Sequence, residues 1–492
     1  MKHLFIVTMC LGLAGVPPAA RADGGYYAGA LGARAAGRAG AFTARADDIT
    51  AVSYNPAGLA KLEGTILQVG NRFSSNGSSY TREPTADWGH AGNGVAPLVA
   101  FDQVSNGAPG QFLEPLIGVA SHLGLRNWGF ALAAFAPPGI GREEFPVGGG
   151  QNYMMVRREA IILNYAASAA WKFGDVFGIG ATFQWMTVPR LVYSLVIDGS
   201  PFAGAANPVS SDLDILATTT GSDPFIFNAI AGAWFRPAPW LELGLSGQVV
   251  PTDVATHSSL HAVPLDPSFG TLVLTRNGVP ADDVTVRLPL PMLARFGVRH
   301  RHLVGNRERF DVELDLEYET WSRVKRFSVE TRGLEANLQG QVVKINRIDI
   351  EKRWRDTLAV KLGGDFAVVP DRWTMRGGVY YETAVADAAY AQVDFPGGQQ
   401  MGASLGSSLF FRRWEVAIAY QLRFQPSVHL AEASARVYQQ VPGSSCQPPY
   451  TDPGTCNPHY LGQPSPAVNA GTFRAQSHFL SLAVLYRFGG PW

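Results

Sequence analysis

From about Leu116 to Phe488 the chain falls into short strand-like segments whose connections alternate between very short and very long. The short ones centre on Arg126-Asn127, Gly174-Asp175, Pro237–Pro239, Gly305-Asn306, Pro370-Asp371 and Arg412-Arg413. The long ones fall near 73–114, 138–152, 191–224, 253–289, 323–353, 385–399 and 426–473. A soluble β-sandwich has no reason to keep every second connection long. A membrane barrel does, because tight turns face the periplasm and long loops face outward, joined by strands of about 9–11 residues. The rhythm predicts an all-β fold, a transmembrane antiparallel barrel of about 14 strands, even in number as bacterial barrels require. Residues 65–488 form the barrel on this reading, with both ends on the short-turn side.

Composition narrows the class. Charged residues make up 16% and the formal net charge is zero, which leaves no basic footprint for nucleic acid. A hydrophobic content of 46% with mean hydropathy +0.02 is too polar for a bundle of membrane helices. It suits a barrel, where only alternate residues meet lipid. At the N-terminus, Lys2 and His3 precede an apolar run from Leu4 to Val16, and Ala20-Arg21-Ala22 fits a small-x-small cleavage site before Asp23. Residues 1–22 therefore read as a secretory signal peptide carrying Cys10, and no later run of about 18 apolar residues supplies a membrane helix. An outer-membrane location is expected.

The strands separate their faces with period two. Phe177, Ile179, Ala181, Phe183 and Trp185 alternate with Gly178, Gly180, Thr182 and Gln184, and Leu241, Leu243, Leu245 and Val249 alternate with Glu242, Gly244, Ser246 and Gln248. Between Trp414 and Phe424 large apolar residues alternate with small and polar ones. Between Phe310 and Trp321, Asp311, Glu313, Asp315, Glu317 and Glu319 occupy one face. That face cannot meet lipid, where a charge costs up to several kcal/mol. It must face water or cations inside the barrel, with Arg295, Arg299, Arg301 and Lys361 as candidates. An ion network that anchors a plug is preferred to a substrate or proton path. The final strand, His478 to Phe488, ends in aromatic residues as outer-membrane proteins do for their assembly machinery, and residues 489–492 overhang it.

Residues 23–64 break the rhythm. A small-residue stretch from Ala28 to Ala44 leads through Asp47-Asp48 to Val52-Ser53-Tyr54-Asn55-Pro56-Ala57-Gly58-Leu59. Small residues allow close backbone packing, and Asn-Pro then Ala-Gly is turn punctuation; a disordered leader is the alternative, because Gly and Ala supply little to bury.

Here the sequence resembles a known family. Gly37-Arg38-Ala39-Gly40-Ala41, Ala46-Asp47-Asp48 and Tyr54-Asn55-Pro56-Ala57-Gly58-Leu59 resemble the N-terminal hatch of the FadL/TodX outer-membrane transporters of hydrophobic compounds. The likeness continues in Phe135-Ala136-Pro137-Pro138-Gly139, in Glu317–Ser322 and in Trp373–Glu382. The resemblance implies a fourteen-stranded barrel plugged by 23–64, with Asn55, Pro56, Ala57 and Gly58 as the hatch motif. It implies uptake of long-chain fatty acids or aromatic hydrocarbons by loop capture, hatch movement and sideways release at a kinked early strand. Trp128 to Pro137 is the candidate for that kink.

A lipophilic ligand needs an apolar concavity. Leu191, Val192, Tyr193, Leu195, Val196, Ile197, Phe202, Leu213, Ile215 and Leu216 make the 191–224 connection too apolar for a solvated loop, with Leu260, Val263, Leu265, Phe269 and Leu272 as neighbours. Self-packing of a long loop is the competing explanation. Cys446 and Cys456 form an even pair in an exported chain, which points to a disulfide; with His459 they could instead hold zinc. Gly402-Ala403-Ser404-Leu405-Gly406 matches G-x-S-x-G, yet it opens a strand rather than a strand–turn–helix elbow. No cofactor, metal or nucleic acid is expected. The expected partners are a hydrophobic small molecule, outer-membrane lipid and, during biogenesis, the barrel-assembly machinery, with the chain monomeric. The competing functions are a passive porin for polar solutes, an outer-membrane lipase or esterase, and a structural barrel.

Overall fold

In the computed structural model, which describes residues 29–87, 95–139, 141–199, 214–305, 307–338, 340–438 and 467–488, fourteen strands form one antiparallel wall. In chain order they are β1 (Thr65–Arg82), β2 (Gly110–Ser121), β3 (Trp128–Phe135), β4 (Arg157–Phe173), β5 (Phe177–Ile197), β6 (Ile215–Ala238), β7 (Leu241–Gln248), β8 (Leu293–Val304), β9 (Arg307–Glu319), β10 (Thr357–Val369), β11 (Trp373–Glu382), β12 (Gln400–Phe411), β13 (Trp414–Leu430) and β14 (Gly471–Phe488). Neighbours in sequence are neighbours in space. β14 pairs with β1 from Thr65↔Phe488 to Arg82↔Gly471, so the cylinder closes between its first and last strands.

The alternation sorts as lipid and lumen demand. On β13, Val416, Ile418, Tyr420 and Phe424 are exposed while Ala417, Ala419, Gln421 and Arg423 are buried. On β9, Val312, Leu314, Leu316 and Tyr318 point out and all five carboxylates are buried inside. Outward aromatics gather near the short turns, with Trp128, Phe173, Phe177, Trp240, Trp373, Phe411 and Trp414 exposed. A second group, including Tyr165, Trp185, Phe225 and Tyr381, lies nearer the long connections. Two girdles of this kind mark the two membrane interfaces.

Several long connections are not loops. β5 runs 21 residues to Ile197 and β6 runs 24 from Ile215, well beyond a span of about 9–11. Their outer ends stand above the membrane, so much of the expected 191–224 loop is strand. The expected 323–353 loop is largely a hairpin, Arg326–Leu338 with Gln341–Glu351. The 253–289 connection contains Asp253–Pro264 paired with Asp283–Pro289, and β1 reaches into the 73–114 region as far as Arg82. Regular period-two alternation disappears in these extensions because both faces are covered. Val192 and Leu195 to Ile197 are all buried, whereas a membrane strand leaves alternate residues exposed.

Residues 29–64 lie inside the wall, built from the turns Ala33–Ala36, Ala51–Tyr54 and Pro56–Lys61 with no strand among them. The wall's inward glycines make room for them. A β-carbon at Gly180 would sit 2.6 Å from the Ala57 nitrogen, and at Gly363 2.3 Å from the Arg38 carbonyl. The glycines on the second face of these strands are thus the seat of a backbone plug. The expected signal peptide, residues 1–22, and the C-terminal overhang, residues 489–492, lie outside the described residues.

Candidate functional site: a clamped plug, a broken wall and an apolar cap

The plug has two unlike sides. Its cations reach the wall's carboxylates. Arg38, fully buried, donates from Nη1 to Asp311 and Asp365 at 2.8 Å each and from Nη2 to Glu313 at 3.0 Å. Arg45 lies 3.2 Å from Asp311 and 3.3 Å from Asp365, and Lys61 lies 2.6 Å from Glu242. Plug amides complete the arrangement, with Phe42 and Thr43 N–H donating to Asp315 and Ala44 N–H to Glu313. Of the expected wall cations, Arg299 pairs with Asp311, and Arg295 and Lys361 both pair with Glu317. Arg301 instead pairs with Glu308. The carboxylate face of β9 is therefore an anchor for the plug.

Asn55 ties the Asn55–Gly58 turn to the rest of the plug and to the wall. Its side-chain oxygen accepts from Ala57 N–H at 3.2 Å, capping the Pro56–Lys61 turn, and its amide donates to Thr43 O and to Ala233 O on β6, both at 2.9 Å. Trp234 donates from its indole nitrogen to Ala57 O at 3.0 Å. Gly58 must be glycine, because a β-carbon there would meet the Ala46 carbonyl at 2.1 Å. Toward β2, β3 and β4 the plug turns an apolar side. Ile49, Val52 and Leu59 pack there with Leu116, Ala131, Ala133 and Ala166.

That apolar side faces a break in the wall. β3 is regular from Trp128 to Phe135, pairing with β2 and β4 without a register shift, and contains no kink. It then leaves the sheet at Ala136-Pro137-Pro138-Gly139, where neither proline can donate to a ladder and Gly139 takes φ 145°. Ala136 N–H still donates to Pro115 O at 2.9 Å; above that, among the described residues, β2 keeps only β1 as a ladder partner, and β4 pairs with β5 and with the two residues Glu143–Glu144. The irregularity expected at Trp128 to Pro137 is thus a stop rather than a bend.

Beside the break lies a cavity of about 120 Å³. Its apolar lining includes Leu31, Phe135, Pro138, Ile162, Met186 and Leu290, and its polar floor holds Arg295, Glu317 and Lys361. Met186 and Leu290 also belong to the large apolar cluster that caps the lumen. In that cap Trp321, Phe327, Trp354 and Phe395 meet edge-to-face. A second cavity, about 460 Å³ on the short-turn side, is lined by Arg34, Arg45, Asp47, Lys61, Glu308, Asp365 and other charged groups. The cavity above the plug thus combines an apolar lining with polar groups such as Asn164, Gln184 and Asn228, whereas the one below it is dominated by charged groups.

Leu195, Ile197 and Leu260 are members of the cap, and Leu191 packs against it. Val192 is buried on β5. Ile215 joins a smaller cluster against which Phe269 packs. Phe202, Leu213, Cys446 and Cys456 lie outside the described residues. Residue-by-residue reading missed the polar group inside the cap. Lys352 and Asp394, both fully buried, pair at 2.6 Å, with Lys352 Nζ 4.8 Å from the Phe327 ring centre. Burial pulls the Lys352 ammonium below its usual range, against the opposing pull of Asp394. Arg158 stacks 4.3 Å over Phe395. Ser404 of the G-x-S-x-G match sits within β12, its Oγ 3.5 Å from Gly378 O.

A closed wall, an inward plug and aromatic girdles define a plugged outer-membrane barrel. The chain belongs to the outer membrane protein transport family OMPP1/FadL/TodX, whose model matches residues 14–447, and so to the outer-membrane transporters of hydrophobic compounds. Among solved structures, a Pseudomonas aeruginosa FadL homologue superposes with a TM-score of 0.71 at 18% identity, covering 95% of this chain and 100% of that one. The Pseudomonas putida toluene transporter TodX gives 0.60 at 12% identity over 93% and 99%. The Ralstonia pickettii toluene transporter TbuX gives 0.58 at 14% identity over 93% and 98%. No curated protein matches the chain in sequence.

Proposed function

We propose that the chain takes up hydrophobic compounds by capture in the apolar cap, passage to the cavity beneath it and sideways release through the break above Phe135. The observation that carries this reading is continuity. Met186 and Leu290 belong to both cap and cavity, and Phe135 and Pro138 belong to both cavity and break. A path straight down would cross the charged plug clamp and the charged lower cavity, where an apolar molecule gains nothing. Sideways release ends in lipid and needs no energy source beyond partition. Residues 29–64 act as the hatch, moving on their apolar side while Arg38 and Arg45 hold the other. The cavity size, near the roughly 150 Å³ of an apolar void that takes benzene, favours a single-ring compound over an extended chain, in keeping with the toluene transporters among its structural relatives. The chain works as a single barrel, and the reading assigns no catalytic role to Ser404.

Photolabelling tests the path. A neutral aromatic diazirine, irradiated with the purified barrel and mapped by peptide mass spectrometry, is expected to mark Met186, Leu290 and Pro138. Labels confined to outward residues such as Trp185 and Val416 would place the probe in lipid or detergent alone and contradict the path.

A further inference from the structure

The polar centre of the cap is already satisfied by the protein's own carboxylate. Both Asp394 oxygens lie 2.6 Å from Lys352 Nζ, and they accept further from Tyr193 Oη at 3.0 Å and Phe395 N–H at 2.8 Å. The Lys352 ammonium is walled by the rings of Phe327 and Phe395, at 4.8 and 5.9 Å from their centres. The other cation at this spot, Arg158, is matched by Glu143 at 3.1 Å. Each cation therefore has one carboxylate, the Lys352–Asp394 pair fully buried and Arg158 largely so, although Arg158 Nη1 donates to no protein group. An incoming carboxylate would add an unmatched negative charge there, beside Asp394, where repulsion is poorly screened. An uncharged molecule meets no such obstacle.

Resting on the capture role of the cap, we propose that Asp394 is a specificity-determining residue. It stands in for a ligand carboxylate on Lys352, so that the cap admits neutral lipophiles and turns away fatty-acid anions. The anchoring lysine that a fatty acid would use is present but occupied. Selectivity then lies in the 385–399 connection that carries Asp394, rather than in the hydrocarbon-lined surface, which would accept either kind of tail.

The test uses the purified full-length barrel with N-phenyl-1-naphthylamine, an uncharged fluorescent lipophile, displaced at pH 8 by 1-dodecanol or by dodecanoate. In the wild type, dodecanol is expected to compete at a concentration at least tenfold below that of dodecanoate. Asp394→Asn keeps the side chain's shape but removes the carboxylate from Lys352, leaving a bound carboxylate to take its place, and dodecanoate should then gain tenfold or more relative to dodecanol. The double variant Lys352→Gln/Asp394→Asn should lose that gain. Equal competition by the two compounds in the wild type would overturn the proposal without recourse to any variant. So would an unchanged ratio in Asp394→Asn that still binds the probe. Failure of the wild type to bind the probe at all would instead overturn the cap as a capture site, and this proposal with it.

Discussion

Replacing Arg38 with alanine is expected to detach the plug and convert a sealed barrel into one that conducts ions steadily. Arg38 is fully buried, and its guanidinium is shared among Asp311, Glu313 and Asp365. Removing one partner of a buried ion pair costs about 3–5 kcal/mol, because the remaining charge stays desolvated. The three carboxylates are not affected equally. Asp311 retains Arg299 and Arg45, and Asp365 retains Arg376 and Arg45. Glu313 keeps the Ala44 and Arg45 amides but loses the guanidinium that neutralised it. The cost therefore falls on the contact between plug and wall, not on the strand ladder. The barrel should assemble while its lumen opens. Planar-bilayer recording measures this directly: the wild type should show no steady conductance and Arg38→Ala should show discrete open steps. Arg38→Lys, with the charge but not the fork, should fall between them. A silent Arg38→Ala channel with unchanged heat stability would mean that the clamp does not hold the plug.

Much of this clamp is legible in the sequence. Five carboxylates on one face of a strand whose other face is apolar demand an interior full of cations or water, and period two makes such a face visible in the sequence. The wall cations Arg295, Arg299 and Lys361 could be found because they sit on neighbouring strands. Arg38 could not be paired with that face, because it lies in a run of alanines and glycines with no period and reaches strands hundreds of residues away. The cap was less legible still. Leu191 to Ile197 looked like an apolar loop because a strand covered on both faces loses its alternation. Lys352 and Asp394 are separated by 42 positions and carry no local signal of contact. The inward glycines were visible as a small-residue face, but that their space is filled by the plug's backbone follows only from the folded chain.

The second large effect concerns movement of the plug. A β-carbon built on Gly118 of β2 would lie 2.8 Å from Ile49 Cγ2, at the apolar side of the plug next to the wall break. Paired cysteines, Ile49→Cys with Gly118→Cys, place the two side chains within reach of the roughly 3.5–4.5 Å Cβ separation of a disulfide. Oxidation should then fix the plug against β2 and lower uptake of a labelled hydrocarbon more than tenfold, with recovery on reduction. The effect is large because it removes the motion itself and leaves cap and cavity untouched. The reference is the same double variant under reducing conditions, because a β-carbon at Gly118 also meets Leu132 O at 2.8 Å whether or not the bond forms. Full uptake by the oxidised double variant, with the crosslink verified by mass spectrometry, would show that the plug stays still during transport.

Which molecules cross the barrel separates a transporter of hydrophobic compounds from an open pore. The most direct measurement is the initial rate of uptake of labelled toluene, at low external concentration, by cells producing the chain and by otherwise identical cells lacking it. A plugged barrel with an apolar cap and a sideways outlet predicts faster toluene uptake and no change in the uptake of a small sugar. Faster sugar uptake with toluene unchanged would identify an open polar pore and contradict the account.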